Sequence, residues 1–260
     1  MRVPTRALGL VACLGLSACA SLPPPTLPRP LPKDDPRPAL RLQTLAEVAG
    51  ARQGLRAVTR VSLAGPQGAS KARQLMLLER PARMRLEVLG LLGQRVAILV
   101  TDGERYQLYR SQTGRIERGP VKAELLYEVA GVPLRPQQLV ALLLGAPLLP
   151  PGAQAADAEV GPAGSLRLHW LGASLAFDPE GRLRSYTEHP GDSGKVQVEV
   201  HYDEYDEQAF ARRVDLVFPA VGLRAVVEFR EVELNPQLPL ALFRLQAAER
   251  GGASSRGAPQ

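Results

Sequence analysis

Cysteine is almost missing from this chain: its 260 residues hold two, Cys13 and Cys19. A disulfide-built scaffold needs more, and neither lies in the body of the sequence. Lysine is scarce too. Of 32 lysines and arginines, four are lysine (Lys33, Lys71, Lys122 and Lys195), which leaves 28 arginines and a formal charge of +6. The arginines are spread without a run, so the basic balance reads as an Arg-for-Lys bias. The clustered footprint of a nucleic-acid binder is not there, and no nucleic-acid partner is expected. The three histidines, His169, His189 and His201, have no metal-ligand spacing. No nucleophile elbow, phosphate loop or dinucleotide fingerprint occurs. The expectation is a protein that is not an enzyme and uses no cofactor or metal. What is present is ordinary: 45% hydrophobic residues, enough to build a core and too many for a disordered chain.

The N-terminus carries an address. Arg2 and Arg6 precede an apolar run over 7–18. A run of about twelve is too short to cross a bilayer but fits the core of a secretory signal. It ends in Leu16-Ser17-Ala18-Cys19, which resembles the bacterial lipobox. Residues 1–18 are therefore expected to be removed, with Cys19 becoming the lipidated first residue. Cys13 then leaves with the signal, and no thiol remains for catalysis. Ala20 follows where an aspartate would hold such a protein at the inner membrane. That points to the outer membrane, reached through the N-terminal lipid, with the body facing the periplasm.

Eight of the 24 prolines fall in the next stretch: Pro23, Pro24, Pro25, Pro28, Pro30, Pro32, Pro36 and Pro38. Such a composition favours extended backbone, so 19–39 reads as a tether. Residues 249–260, rich in Gly, Ala and Ser, read as a disordered tail. The folded domain is placed at 40–248. Within it, Leu42, Leu45, Ala46 and Ala49 recur at helical spacing, and helical segments are expected at 121–130 and 136–144. Alternating segments at 55–63, 72–79, 84–89, 95–101 and 105–109 precede those two helices. Others follow at 158–160, 165–170, 174–177, 183–187, 196–202, 213–218 and 223–232. The fold class is mainly β (α+β), an antiparallel sheet or barrel with helices inserted midway. The acidic run Asp203, Glu204, Asp206 and Glu207 reads as a solvated loop.

A family likeness appears mid-chain. Residues 85–96 (RLEVLGLLGQRV) are followed by Asp102-Gly103-Glu104-Arg105-Tyr106. Later come Ala123-Glu124-Leu125-Leu126, then Gly131-Val132-Pro133-Leu134, then Leu143-Leu144-Gly145-Ala146-Pro147. In order and spacing this resembles the LolB-like outer-membrane lipoprotein receptors and the LolA/LolB superfamily of lipoprotein localisation factors. The resemblance implies a curved antiparallel half-barrel of about eleven strands, closed by two or three helices over an apolar cavity. It also implies acyl chains of lipoproteins as ligand, a periplasmic LolA-type carrier as partner, and insertion of cargo into the outer membrane. Leu91 and Leu92, between Gly90 and Gly93, match the membrane-insertion loop. Leu86, Val88, Val96, Ile98, Val100, Leu108, Leu143 and Trp170 are the candidates for lining the cavity. The chain departs from the pattern at Leu91, where a proline is usual, and at Val140, where a tryptophan is expected. Asn235-Pro236-Gln237-Leu238-Pro239 is closer to LolA-like lipoproteins.

The residues themselves leave alternatives open. The cavity could take another hydrophobic ligand. It could also be filled, with Val88, Ile98, Leu108 and Trp170 packed dry against the helices, as in a structural lipoprotein of an envelope assembly. Leu91 and Leu92 likewise read either as a turn tucked under a helix or as an apolar tip that enters a bilayer.

Overall fold

The computed structural model describes residues 27–149, 157–170, 172–189 and 196–245. The signal, the lipobox with Cys19 and the tail at 249–260 lie outside these residues. In chain order the strands before the mid-chain helices are β1 (Arg29–Pro30), β2 (Gly54–Gly65), β3 (Gly68–Glu79), β4 (Arg83–Leu89), β5 (Arg95–Thr101), β6 (Arg105–Arg110) and β7 (Arg115–Pro120). After them come β8 (Asp157–Val160), β9 (Leu166–Trp170), β10 (Ala173–Phe177), β11 (Leu183–Glu188), β12 (Val198–Tyr205), β13 (Ala211–Phe218) and β14 (Leu223–Leu234). Helix α1 (Arg37–Ala51) lies between β1 and β2; α2 (Leu125–Ala130) and α3 (Pro136–Leu143) lie between β7 and β8.

All 14 strands form one antiparallel sheet in the order β1-β8-β9-β10-β11-β12-β13-β14-β2-β3-β4-β5-β6-β7. It is two meanders, β2–β7 and β8–β14, sutured where β14 pairs with β2. The suture is long, running from Arg224 opposite Ala64 to Leu234 opposite Leu55. Asn235 closes it. Its side-chain oxygen accepts from the backbone N–H of Gln53 (2.8 Å) and Gly54 (3.2 Å), and its amide donates to the Ala51 carbonyl (2.7 Å). The β1 and β7 edges do not pair with each other, so the sheet stays open.

One buried cluster joins Leu55, Met76 and Met84 of the first meander to Leu168, Val200 and Phe229 of the second. A single cluster reaching so far along the strand order means that the sheet curls around it. Helix α3 lies in the hollow, with Pro136, Val140, Ala141, Leu142 and Leu143 all buried. A helix apolar on nearly every side belongs inside a core. Leu45 of α1 adds to the same cluster.

Three expectations change. Among the described residues there are 14 strands, not about eleven; β1 and β7 carry no apolar alternation to announce them. The helix expected at 121–130 is confined to Leu125–Ala130, since Val121 still donates to the Glu104 carbonyl (2.7 Å) beside the end of β7. The folded part also begins earlier than residue 40. Arg29–Pro30 pairs with β8, Leu31 donates to the Ala158 carbonyl (2.8 Å), and α1 starts at Arg37. Proline is tolerated there because β1 is an edge strand with no outer neighbour needing its N–H.

Candidate functional site

Cross-strand partners share a face of a sheet, and this decides what lines the hollow. Leu86 on β4 faces Leu99 on β5, and Val88 faces Ala97. With Val61 and Leu63 of β2, Met76 of β3 and Leu108 of β6 they form an apolar floor. Leu216 and Phe218 of β13 with Ala225 and Val227 of β14 extend it. The roof is Leu126, Val129 and Ala130 of α2, Val132, and Leu139 and Leu143 of α3. Between floor and roof lies a cavity of about 200 Å³. Gln74 and Arg110 are its polar lining residues, and the Arg110 guanidinium turns to Glu117 (3.1 Å), leaving its aliphatic stem to the cavity. Nothing in this lining can do acid–base or nucleophilic chemistry. It can hold hydrocarbon.

The volume is below the roughly 300–1,000 Å³ usual for ligand pockets. A long chain is admitted only if the roof gives way, and the two roof helices are held unequally. The Tyr202 hydroxyl donates to the Leu142 carbonyl (3.1 Å), and Arg52 reaches the carbonyls of Leu144 (3.4 Å) and Ala209 (2.7 Å). Arg80 donates to the Ala146 carbonyl (3.3 Å). Burial lowers the pKa of both guanidinium groups, and their carbonyl partners offset that cost. The end of α3 is thus pinned. Helix α2 makes no side-chain hydrogen bond among the described residues; it is held by buried Leu125 and Leu126 and ends at Gly131 in the left-handed conformation (φ 71°). It is the part of the roof most easily lifted.

The cavity leads outward at one end of the sheet. Leu63, Val129 and Ala130 line it and also a larger surface groove of about 760 Å³ between the β2–β3 turn, α2 and the β13–β14 turn. The register of the first meander sets the turns joining β2 to β3, β4 to β5 and β6 to β7 on that same rim. The β4–β5 turn carries Leu91 and Leu92, 105% and 93% exposed. Gly93 adopts φ 79°, and the Gln94 side chain accepts from the Leu92 N–H (3.1 Å), so the turn is shaped from within, and among the described residues no helix covers it.

Of the sequence candidates, Leu86, Val88, Leu108 and Leu143 line this cavity. Val96 is half-buried and outside it. Ile98 and Val100 point the other way, opposite Glu87 and Arg85 on the convex face, where Leu245 covers them. The polypeptide after β14 crosses that face, burying Phe243, and Leu245 donates to the Gln107 side chain (2.6 Å). Trp170, at the rim end of β9, packs against the main core away from the cavity, with a buried indole N–H that finds no acceptor among the described residues. Sequence reading missed Leu63, Leu99, Val129 and Phe218. Pairing Leu86 with Leu99 across the 90–94 turn would have found the second of these. Of the histidines, His201 sits 3.0 Å from Glu199 and His169 3.8 Å from Glu159, each about two-fifths exposed.

No protein-family profile matches the chain, and no curated protein aligns with it. Solved structures do. A LolA superfamily protein from Nitrosomonas europaea is 14% identical over 78% of this chain and 97% of its own, with a TM-score of 0.49. A putative outer membrane lipoprotein-sorting protein domain from Vibrio parahaemolyticus is 10% identical over 80% and 100%, also at 0.49. A DUF1329 family protein from Desulfovibrio piger reaches 0.50 at 9% identity, over 80% and 95%. At such identities the likeness is one of fold alone.

Proposed function

We propose that this chain is a lipid-anchored outer-membrane receptor that takes up the acyl chains of lipoproteins and inserts them into the membrane. The observation that carries the reading is the apolar cavity leading to the rim that holds the bare Leu91–Leu92 turn. Each buried methylene is worth about 0.8 kcal/mol, so a palmitoyl-length chain gains roughly 10 kcal/mol before ordering costs. That suffices to capture a chain and hand it on, provided that α2 lifts to make room. Uptake through the groove beside α2 leaves the acyl chain at the same end as the leucine turn. Delivery then needs no reorientation of the domain. A dry, filled core, the structural alternative, is disfavoured by the open cavity.

The test is transfer of an acylated lipoprotein from a soluble LolA-type carrier to the purified receptor, and from there to vesicles. Capture followed by vesicle insertion is the expected outcome. Capture of free fatty acid without uptake from the carrier leaves a binder of another hydrophobic ligand. Absence of both rejects the reading.

A further inference from the structure

The turns along one sector of the rim carry charge of one sign, with Glu128 of α2 exposed beside them. The turns joining β2 to β3, β4 to β5, β6 to β7 and β13 to β14, with the strand ends they connect (65–73, 89–97, 109–116 and 218–225), hold Lys71, Arg73, Arg95, Arg110, Arg115 and Arg224. They hold no aspartate or glutamate. The pairing gathers five of these cations on neighbouring strands: Arg73 and Arg95 each face Leu89, and Arg110 faces Arg115. From β3 to β7 is four strand spacings, roughly 19 Å. Part of the charge is already engaged, since Arg95 meets Glu87, Arg110 meets Glu117 and Arg224 meets Asp215. Lys71, Arg73 and Arg115 are exposed and make no ion pair among the described residues.

The turns at the other end of the sheet mix both signs: Asp102 and Glu104, Asp178 and Glu180, Asp206 and Glu207 lie there with Arg80 and Arg182. On the basic end, Glu199 of β12, Glu188 of β11 and Asp157 of β8 mark where the basic sector stops, beyond β13. A local excess of cations on one edge orients a tethered domain before contact.

At the centre of the basic sector stands the Leu91–Leu92 turn, whose side chains touch water alone. Cations and bare leucines on one edge match two layers of a single partner: headgroup phosphates outside, hydrocarbon just beneath. An acidic protein surface would answer the cations and leave the leucines wet. We propose that this sector docks on a bilayer surface carrying anionic phospholipids, with Lys71, Arg73 and Arg115 reading the charge and Leu91 and Leu92 entering the interface. The proposal deepens the reading of this rim as the delivery face, but it requires no cargo.

The experiment uses the full chain bound to vesicles without any lipoprotein. Amide hydrogen exchange is followed at 90–94 and 111–115 on phosphatidylcholine and on phosphatidylcholine containing one-third phosphatidylglycerol. Strong protection on the anionic vesicles only, lost at high salt, is expected. Each cation near such a surface contributes about a fivefold factor, so the triple change Lys71→Gln, Arg73→Gln and Arg115→Gln weakens docking by on the order of a hundredfold. Its folding is checked by circular dichroism, and all three sites are exposed. Equal protection on both vesicle types overturns the proposal. So does a triple variant that docks like the parent, or one that loses only uptake from the carrier, which would assign the cations to an acidic protein. Failure of acyl capture in the transfer assay, with docking intact, would instead sink the receptor function and leave this surface standing.

Discussion

The Tyr202 hydroxyl on β12 donates to the Leu142 carbonyl in the last turn of α3, and burial pushes the Tyr202 pKa well up. That contact, with those of Arg52 and Arg80, fixes one half of the cavity roof while α2 has only apolar packing. Tyr202→Phe is expected to cost about 1 kcal/mol, the low end for a buried hydrogen bond, because the Leu142 carbonyl keeps the Gly145 N–H at 3.0 Å. Chemical denaturation measures it. The same asymmetry predicts that amides of α2 exchange well before those of α3 in the native protein. Simultaneous exchange would mean that the roof moves as one body.

Tyr186, Tyr202 and Tyr205 are all held neutral by burial, which raises each pKa. Unfolded, a tyrosine titrates near 10. With the folded values above the unfolded one, their contribution to stability is complete below about pH 10 and declines as pH rises beyond it. Denaturation midpoints should therefore fall steeply on the alkaline side of pH 10. Phenolate absorbance from these three should emerge together with loss of structure. Tyr202→Phe should make the decline shallower. A midpoint flat through that range would show that the three rings are hydrated in solution.

Ala97 lies on the cavity floor opposite Val88, on a strand paired on both sides. Ala97→Phe projects a ring into the empty volume. Overpacking costs about 1–3 kcal/mol in a full core and should cost less where space already exists. The variant is expected to fold, keep docking to membranes, and lose acyl binding by at least tenfold, read by displacement of a fluorescent fatty acid. Retained binding would place the acyl chain elsewhere.

The strand β5 explains where sequence reading of this cavity succeeds and where it stops. Val96, Ala97, Ile98, Leu99 and Val100 are apolar at every position, so period two cannot say which set faces the hollow. Leu99 does, while Ile98 and Val100 meet a strap formed by residues far along the chain. In β4 the alternation of Leu86 and Val88 with Arg85 and Glu87 is clean, and the cavity-facing pair could be read directly. Even there the polar set misleads about depth. Arg85 and Glu87 are each 5% exposed, bonded to one another, and Arg85 also reaches the Leu242 carbonyl (3.1 Å). β7 offered only Arg-Ile-Glu-Arg-Gly-Pro, a charged edge strand whose single large apolar residue, Ile116, packs on the convex-face cluster. Leu91 and Leu92 had two readings because exposure depends on what packs nearby, and only the three-dimensional arrangement supplies that.

Cys19 is expected to be the mature N-terminus, bearing a thioether-linked diacylglycerol. Cys19→Ala should leave the chain unprocessed or unanchored, since no other residue near the cleavage site can take that lipid. Intact-mass spectrometry of the membrane fraction checks it. An unmodified Cys19, or a mature chain starting elsewhere, would refute the anchor.

Leu92→Glu separates capture from insertion. The side chain is 93% exposed and touches no core residue, so the substitution should change stability by no more than about 0.5 kcal/mol. The cavity floor begins at Val88, on the far side of Gly90, so acyl binding should also persist. What changes is the cost of entering the bilayer. A buried leucine gains about 1.5–3 kcal/mol there, while a carboxylate loses that gain and adds repulsion from anionic headgroups. Vesicle insertion of cargo should fall by at least tenfold while cargo accumulates on the receptor, a pattern that neither unfolding nor a blocked cavity would produce. Leu92→Ala should show the same pattern in weaker form. If Leu92→Glu inserts cargo at the parent rate, the bare leucine turn plays no part in delivery.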